Sequence, residues 1–198
     1  MYLEASVSLG RQGNLYMDLA ALEKNLTDKQ APVHLWNPEH CGEIDIFIDR
    51  DGRWFHDGGE IKRHALVRLL SSVLKKEGDT WYLVTPVEKM AIKVAMQPLV
   101  CIDAELIDGV WVFETKTGEK VALSKTHPMQ LVTGSDGEEY PAIWVRGEIL
   151  AHFHRNLFYR MVDYCQLLPA QDNQQLTEFI LNSDGQDWLF GRILAGST

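Results

Sequence analysis

An α+β fold built from two related halves is what this sequence predicts, and three observations lead there. The first is an apparent repeat: Gly52–Leu74 and Tyr140–Val162 read alike. With Gly59 set on Gly147, Glu60 meets Glu148, Ile61 meets Ile149, Leu69 meets Leu157, Leu70 meets Phe158 and Val73 meets Met161. Each stretch runs from an aromatic-containing strand through Gly-Glu-Ile into apolar residues at helical spacing, the pattern of a duplicated strand–turn–helix motif. The second is a series of short strand-like segments between the copies, separated by turn residues, which predicts a bent antiparallel sheet or partial barrel. The third is composition: 198 residues, 45% hydrophobic and 24% charged, enough to bury a core unaided.

In chain order, Leu15, Leu19, Leu22 and Leu26 form one apolar stripe and predict a short N-terminal helix within residues 1–30. Ala31–Glu43 is a connector, because Pro32 and Pro38 oppose helix. Ile44–Ile48 alternates as a strand does; Asp51-Gly52 then turns the chain and Trp54–His56 returns. Asp57-Gly58-Gly59 leads into a first helix with Leu66, Leu69, Leu70, Val73 and Leu74 on its buried face, ending through Lys75-Lys76-Glu77. These elements make a first α+β domain over residues 31–97.

Trp81–Thr85 is a strand stopped by Pro86. Further strands are expected at Met90–Ala95, Leu99–Ile107, Val110–Glu114, Val121–Ser124, Gln130–Thr133 and Ile143–Arg146, with Asp108-Gly109 and Thr117-Gly118 at hairpin positions. A second helix is read over Ile149–Cys165, where His152, Arg155 and Tyr159 share a polar face. A last helix over Asn173–Asn182, stopped by Ser183-Asp184-Gly185, and a strand over Trp188–Leu194 complete a second, β-rich domain over residues 98–198.

A formal net charge of −9 opposes bulk DNA or RNA binding. Three well-separated cysteines, Cys41, Cys101 and Cys165, form neither a disulfide framework nor a cysteine zinc site, and predict reduced thiols in a cytoplasmic protein. The N-terminus lacks the pattern of a signal peptide, and no apolar run reaches the roughly 20 residues that span a bilayer. The motifs of Walker, GxGxxG, GxSxG, HExxH, CxxC and kinase chemistry are not present, so no catalytic residue, metal ligand or cofactor is assigned. Asp45, Asp49 and Asp51 lack the further ligands and the twelfth-position glutamate of an EF-hand and read as turn residues. His34, His40 and Cys41 lack metal-ligand spacing.

Several segments together resemble a bacterial family of uncharacterised proteins, DUF1285. They are Cys41-Gly42-x-Ile44-Asp45-Ile46, Asp51-Gly52-x-Trp54-Phe55, Gly59-x-Ile61-x-Arg63, Leu66-Val67-Arg68-Leu69, the run Tyr82-Leu83-Val84-Thr85-Pro86-Val87-Glu88-Lys89, and His127-Pro128. The resemblance spans Pro32 to Tyr164, with a departure at Ser124-Lys125-Thr126. It implies two related structural motifs, a C-terminal half superficially like a pleckstrin-homology fold, a cleft between the halves for an anionic or nucleotide-like small molecule, and a signalling role. Carried onto this chain, that cleft takes Arg63, Thr85, Glu88, Lys89, His127, Arg146, Arg155 and Tyr159 as ligand-binding residues; arginine holds phosphate and tyrosine stacks on a base. The competing account of these residues is an ion-paired domain interface. Three functions stay open: a non-catalytic binding or signalling module; an enzyme in the same cleft, with His127 as general acid or base and Arg155 steadying charge; and a protein-interaction adaptor.

Overall fold

In the computed structural model of the chain, residues 31–170, 173 and 175–194 are described; the helix expected over Leu15–Leu26 lies outside them. After a single 3-10 turn at Val33–Leu35, the chain builds two six-stranded sheets. The first contains β1 (His40–Ile48), β2 (Trp54–His56), β3 (Gly59–Glu60), β4 (Leu74–Glu77), β5 (Thr80–Val84) and β6 (Glu88–Val94), in the order β3-β2-β1-β6-β5-β4. The second contains β7 (Leu99–Ile107), β8 (Val110–Thr115), β9 (Lys120–Ala122), β10 (Met129–Thr133), β11 (Glu139–Arg146) and β12 (Ile149–Phe153), in the order β9-β8-β7-β12-β11-β10.

The two orders are the same. Each sheet consists of two three-stranded antiparallel meanders, joined where the first strand of the six lies parallel to the last: β1 beside β6, and β7 beside β12. Helix α1 (His64–Ser72) connects β3 to β4, whereas residues 123–128 connect β9 to β10 through a Ser124–His127 bridge. Helix α2 (Arg155–Val162) follows β12, and a third sheet follows it: β13 (Gln166–Pro169), β14 (Leu176–Ser183) and β15 (Gln186–Leu194).

The apolar face of the first sheet carries Ile46, Ile48, Trp54, Trp81, Leu83 and Met90, with Leu70 and Val73 at the end of α1 packed against it. In the second unit, Phe190 of β15 meets Phe153 edge-on at 5.2 Å and stacks on Phe158 of α2 at 5.2 Å, while Phe153 meets Phe113 at 4.8 Å. Such offset and edge-on pairs are favourable beyond their buried area. Ser183 ties the third sheet down, donating to the Leu123 carbonyl and accepting from the Trp111 N–H, each at 2.9 Å.

Five expectations are corrected. The helix read over Ile149–Cys165 begins only at Arg155, because Ile149–Phe153 is a central strand buried on both faces, and such a strand presents an apolar run instead of alternation. The helix read over Asn173–Asn182 is β14, hydrogen-bonded on both sides, and Asp184-Gly185 with positive φ is a hairpin turn instead of a helix stop. Lys75-Lys76-Glu77 belongs to β4, hairpinned through Gly78 (φ 58) onto β5. The C-terminal sheet is mixed, since β12 runs parallel to β7, and so differs from the antiparallel sheet expected of a pleckstrin-homology-like half. The alignment of Gly59 with Gly147 also dissolves: Gly59 lies in β3, whereas Gly147 turns the chain between β11 and β12.

Candidate functional site at the junction of the two sheets

The two sheets meet through two turns. The turn between β1 and β2 is held by Asp49: Oδ1 accepts from the Asp51 N–H at 2.9 Å and the Arg53 N–H at 2.8 Å, and Oδ2 pairs with Arg53 Nε at 2.7 Å. An aspartate bonded to the backbone ahead of it is a self-contained turn device. Asp49 is therefore a turn residue, as the sequence reading preferred over calcium. Among the described residues, no group of three His, Cys, Asp or Glu could hold a metal ion.

This turn seats on the second sheet. His152 Nε2 of β12 lies 2.8 Å from the Arg50 carbonyl oxygen, so Nε2 carries the proton and donates. Lys116 Nζ donates to the Asp51 carbonyl at 2.9 Å. The Arg50 guanidinium pairs with Asp136 at 2.9 Å and lies 5.1 Å from the Tyr140 ring centroid. The Tyr140 hydroxyl and Arg50 together hold the Asp136 carboxyl down at about 2. Gly52, at φ +68, faces Val100, and a Cβ there would come within 2.8 Å of the valine. His152 is 4% exposed, and burial pushes its pKa below the ordinary imidazole value.

The second contact joins the end of α1 to the turn between β8 and β9. Arg146 of β11 donates through Nη2 to the Ser71 carbonyl at 2.6 Å and pairs through Nη1 with Glu119 at 3.1 Å. Glu119 also accepts from Thr115 at 2.5 Å and from Thr117. Burial pushes the Glu119 carboxyl up, but the two threonine hydrogen bonds and the charge of Arg146 outweigh it, and the net shift is downward. Burial lowers the Arg146 pKa against the pull of Glu119. A cation beside the last carbonyls of a helix also suits the helix dipole. Arg68 of α1 lies over the same turn, its guanidinium 3.8 Å from where a Gly118 Cβ would stand.

The residues expected to line one cleft fall in separate places. Thr85, Glu88 and Lys89 lie around the β5–β6 turn. Thr85 Oγ1 accepts from the Glu88 N–H at 3.0 Å and donates to the Glu88 carbonyl at 3.2 Å, which closes that turn. Glu88 is buried, opposite His40 in the β1–β6 register. Lys89 pairs with Glu77 at 2.5 Å and sits 4.8 Å from the Tyr82 ring, within the first sheet. Arg63 is exposed just before α1 and makes no side-chain cap bond. His127 Nδ1 lies 3.1 Å from the Trp144 carbonyl, with the two rings 5.1 Å apart. Arg155 lies over the ring of Tyr159, 5.6 Å away on α2, and Tyr159 is exposed. His152 does not share their face, because it lies in β12. Among the eight residues, Arg146 makes a contact across the junction, to the Ser71 carbonyl. An ion pair does cross between the sheets, but Arg50 and Asp136 form it, while Arg146–Glu119 lies within the second unit and Lys89–Glu77 within the first. Sequence reading missed Arg50, Lys116, Glu119, Thr115, Thr117 and Ser71, all on turns or element ends with no motif to mark them.

A family model described as the N-terminal domain of DUF1285, a domain of unknown function, matches residues 31–96, and one described as the DUF1285 C-terminal domain matches residues 98–190. The chain belongs to the DUF1285 family. The crystal structure of a DUF1285 family protein from Silicibacter pomeroyi DSS-3 matches this DUF1285 chain with a TM-score of 0.75 and 37% identity, over 88% of this chain and 94% of that one. A second, from Shewanella baltica OS155, matches with a TM-score of 0.49 and 21% identity, over 60% of this chain and 90% of that one. No curated protein matches it. No helix among the described residues is long and apolar enough to cross a membrane.

Proposed function

We propose that this DUF1285 chain is a non-catalytic binding module that takes an anionic, nucleotide-like small molecule at the junction of its two sheets. One observation carries the reading: Arg68 from α1 and Arg146 from β11 both reach the β8–β9 turn, and Lys116 of that turn reaches across to the Asp51 carbonyl, in a chain whose net charge is −9. Gly118, at φ +93, leaves the turn backbone open to close approach. Arg68 makes none of the ion pairs found among the described residues, and a guanidinium binds phosphate oxygens in a bidentate fork. A ligand here touches both units at once, so binding alters how firmly they are joined, as a signalling role requires. The shared strand order supports an origin by duplication, with β1–β6 corresponding to β7–β12. Three free cysteines fit a reducing cytoplasm.

The test is thermal unfolding against a panel of nucleotides, phosphorylated metabolites and inorganic phosphate, with Arg68→Ala alongside. A ligand at 100 times its dissociation constant adds about 2.7 kcal/mol of stability. Stabilisation lost in Arg68→Ala but kept in Arg63→Ala, Lys89→Ala and Arg155→Ala supports the junction. Stabilisation lost only in one of the latter variants moves the site, and none from any compound sinks the reading.

A further inference from the structure

In the first sheet the central parallel pair is long: β1 and β6 pair from His40–Glu88 to Ile48–Val94, with one register shift between Glu43 and Phe47. The counterpart pair in the second sheet is short. β12 accompanies β7 only from Leu99 to Cys101, and the chain then leaves into α2. Beyond that point β7 is bonded to β8 on one side, through Ile107–Val110, and no described strand lies on its other side. The first sheet has a strand at the corresponding place.

The open side has a definite chemistry. The Asp108-Gly109 turn, with φ of 50° and 81°, is a two-residue hairpin, and its closing pair is Ile107–Val110. Pairs alternate along an antiparallel ladder, so Ile107 and Glu105 bond to β8 while Ala104 and Leu106 point their N–H and C=O groups outward. The groups of Ala104 are occupied by side chains: Asp103 Oδ1 accepts from the Ala104 N–H at 2.9 Å, and Arg160 Nη2 donates to the Ala104 carbonyl at 3.3 Å. Arg160 and Asp103 also pair with each other at 2.6 Å. This ion pair supplies the donor and acceptor that a neighbouring strand would supply. Both its members are about half exposed, so displacing them costs little. Around it, Leu106 and Ile107 are exposed, as are the carboxylates of Asp103 and Glu105.

We propose that the outer edge of β7, residues 103–107, accepts an extended segment of a partner protein as an added strand. The segment alternates basic and apolar residues and displaces the Asp103–Arg160 pair. Main-chain bonds to Ala104 and Leu106 give the affinity. The basic residues answer Asp103 and Glu105 on one face, and the apolar ones cover Leu106 on the other.

The probe is a fluorescent Lys-Val-Lys-Val-Lys peptide, titrated by anisotropy into the intact chain. Three controls accompany it: the Glu-Val-Glu-Val-Glu peptide, the basic peptide methylated on alternate main-chain nitrogens, and the Glu105→Lys variant. The expected result is saturable binding, with affinity at least tenfold weaker in each control and an unchanged melting temperature for Glu105→Lys. Arg160→Ala, which frees the Ala104 carbonyl, should bind the basic peptide several-fold more tightly. Equal binding of the methylated peptide overturns strand addition, and no saturation at millimolar peptide overturns the site. A chain that is dimeric in solution and becomes monomeric in Glu105→Lys assigns the edge to a second copy instead, and overturns the partner.

Discussion

His152 Nε2 donates to the main-chain oxygen of Arg50 across 102 residues of sequence, and this bond joins the first sheet to the centre of the second. Because burial lowers the His152 pKa, the folded state resists protonation more than the unfolded chain does. The contribution is therefore complete above the unfolded value of about 6.5 and is lost as pH falls below it toward the lowered folded value. Urea unfolding at a series of pH values should show stability declining below that point. His152→Gln keeps a donor near the Nε2 position and should flatten this limb. An unchanged limb would assign the pH dependence to other groups.

Arg146 and Glu119, both in the second unit, form a largely buried ion pair beside the junction, with side chains 14% and 22% exposed. Removing one partner strands the other, so Arg146→Met should cost about 3 kcal/mol in chemical denaturation. Arg146→Met combined with Glu119→Gln should recover part of that loss, because no charge is then left alone. A double variant as unstable as the sum of the two singles would mean that the pair is not coupled.

Gly52 combines a left-handed backbone with a close approach to Val100. Gly52→Ala adds a strained φ and a contact the core cannot absorb, and should destabilise the chain by about 2 kcal/mol or more. Gly58 also has a positive φ but faces open space, so Gly58→Ala should cost about 1 kcal/mol. Comparing the two melting temperatures separates the packing contribution from the backbone one.

The cysteines should react with a thiol reagent in a fixed order. Cys41 is exposed and should label first. Burial pushes the half-buried Cys165 thiol up to about 11, so it should follow slowly. Cys101 is fully buried, with its pKa also pushed upward by burial, and should label only on unfolding. Early labelling of Cys101 would mean that β7 and β12 part in the native state.

Local patterns carried much of the fold. Leu99–Ile107 was readable as a strand with the bounds it has, because Asp108-Gly109 marks its end and β-rich residues fill it. Trp54–His56 was likewise readable from the Asp-Gly turn before it. Ile149–Phe153 was not, because a strand buried on both faces has no alternation to distinguish it from a helix. The pairing of β7 with β12 leaves no trace within either strand, since parallel partners are set by distant chain. The site shows the same division. Arg146 was legible as a cation beside a turn, but its partners Glu119, Thr115 and Thr117 sit in a hairpin turn that composition marks only as a turn.

The pairing of first strand with last has a consequence for how the chain assembles. β1 cannot close its sheet until β6 has emerged from the ribosome, nor β7 until β12 has. Each unit therefore waits for almost its whole length before its central ladder forms, and contacts this distant in sequence make folding slow. The first unit can finish while the second is still being made. Its β1–β2 turn then stands complete, presenting the Arg50 carbonyl and Gly52, before Val100 and His152 exist to receive it. The earlier unit is thus a template on which the later one settles, and a chain interrupted after residue 96 would leave that turn permanently bare.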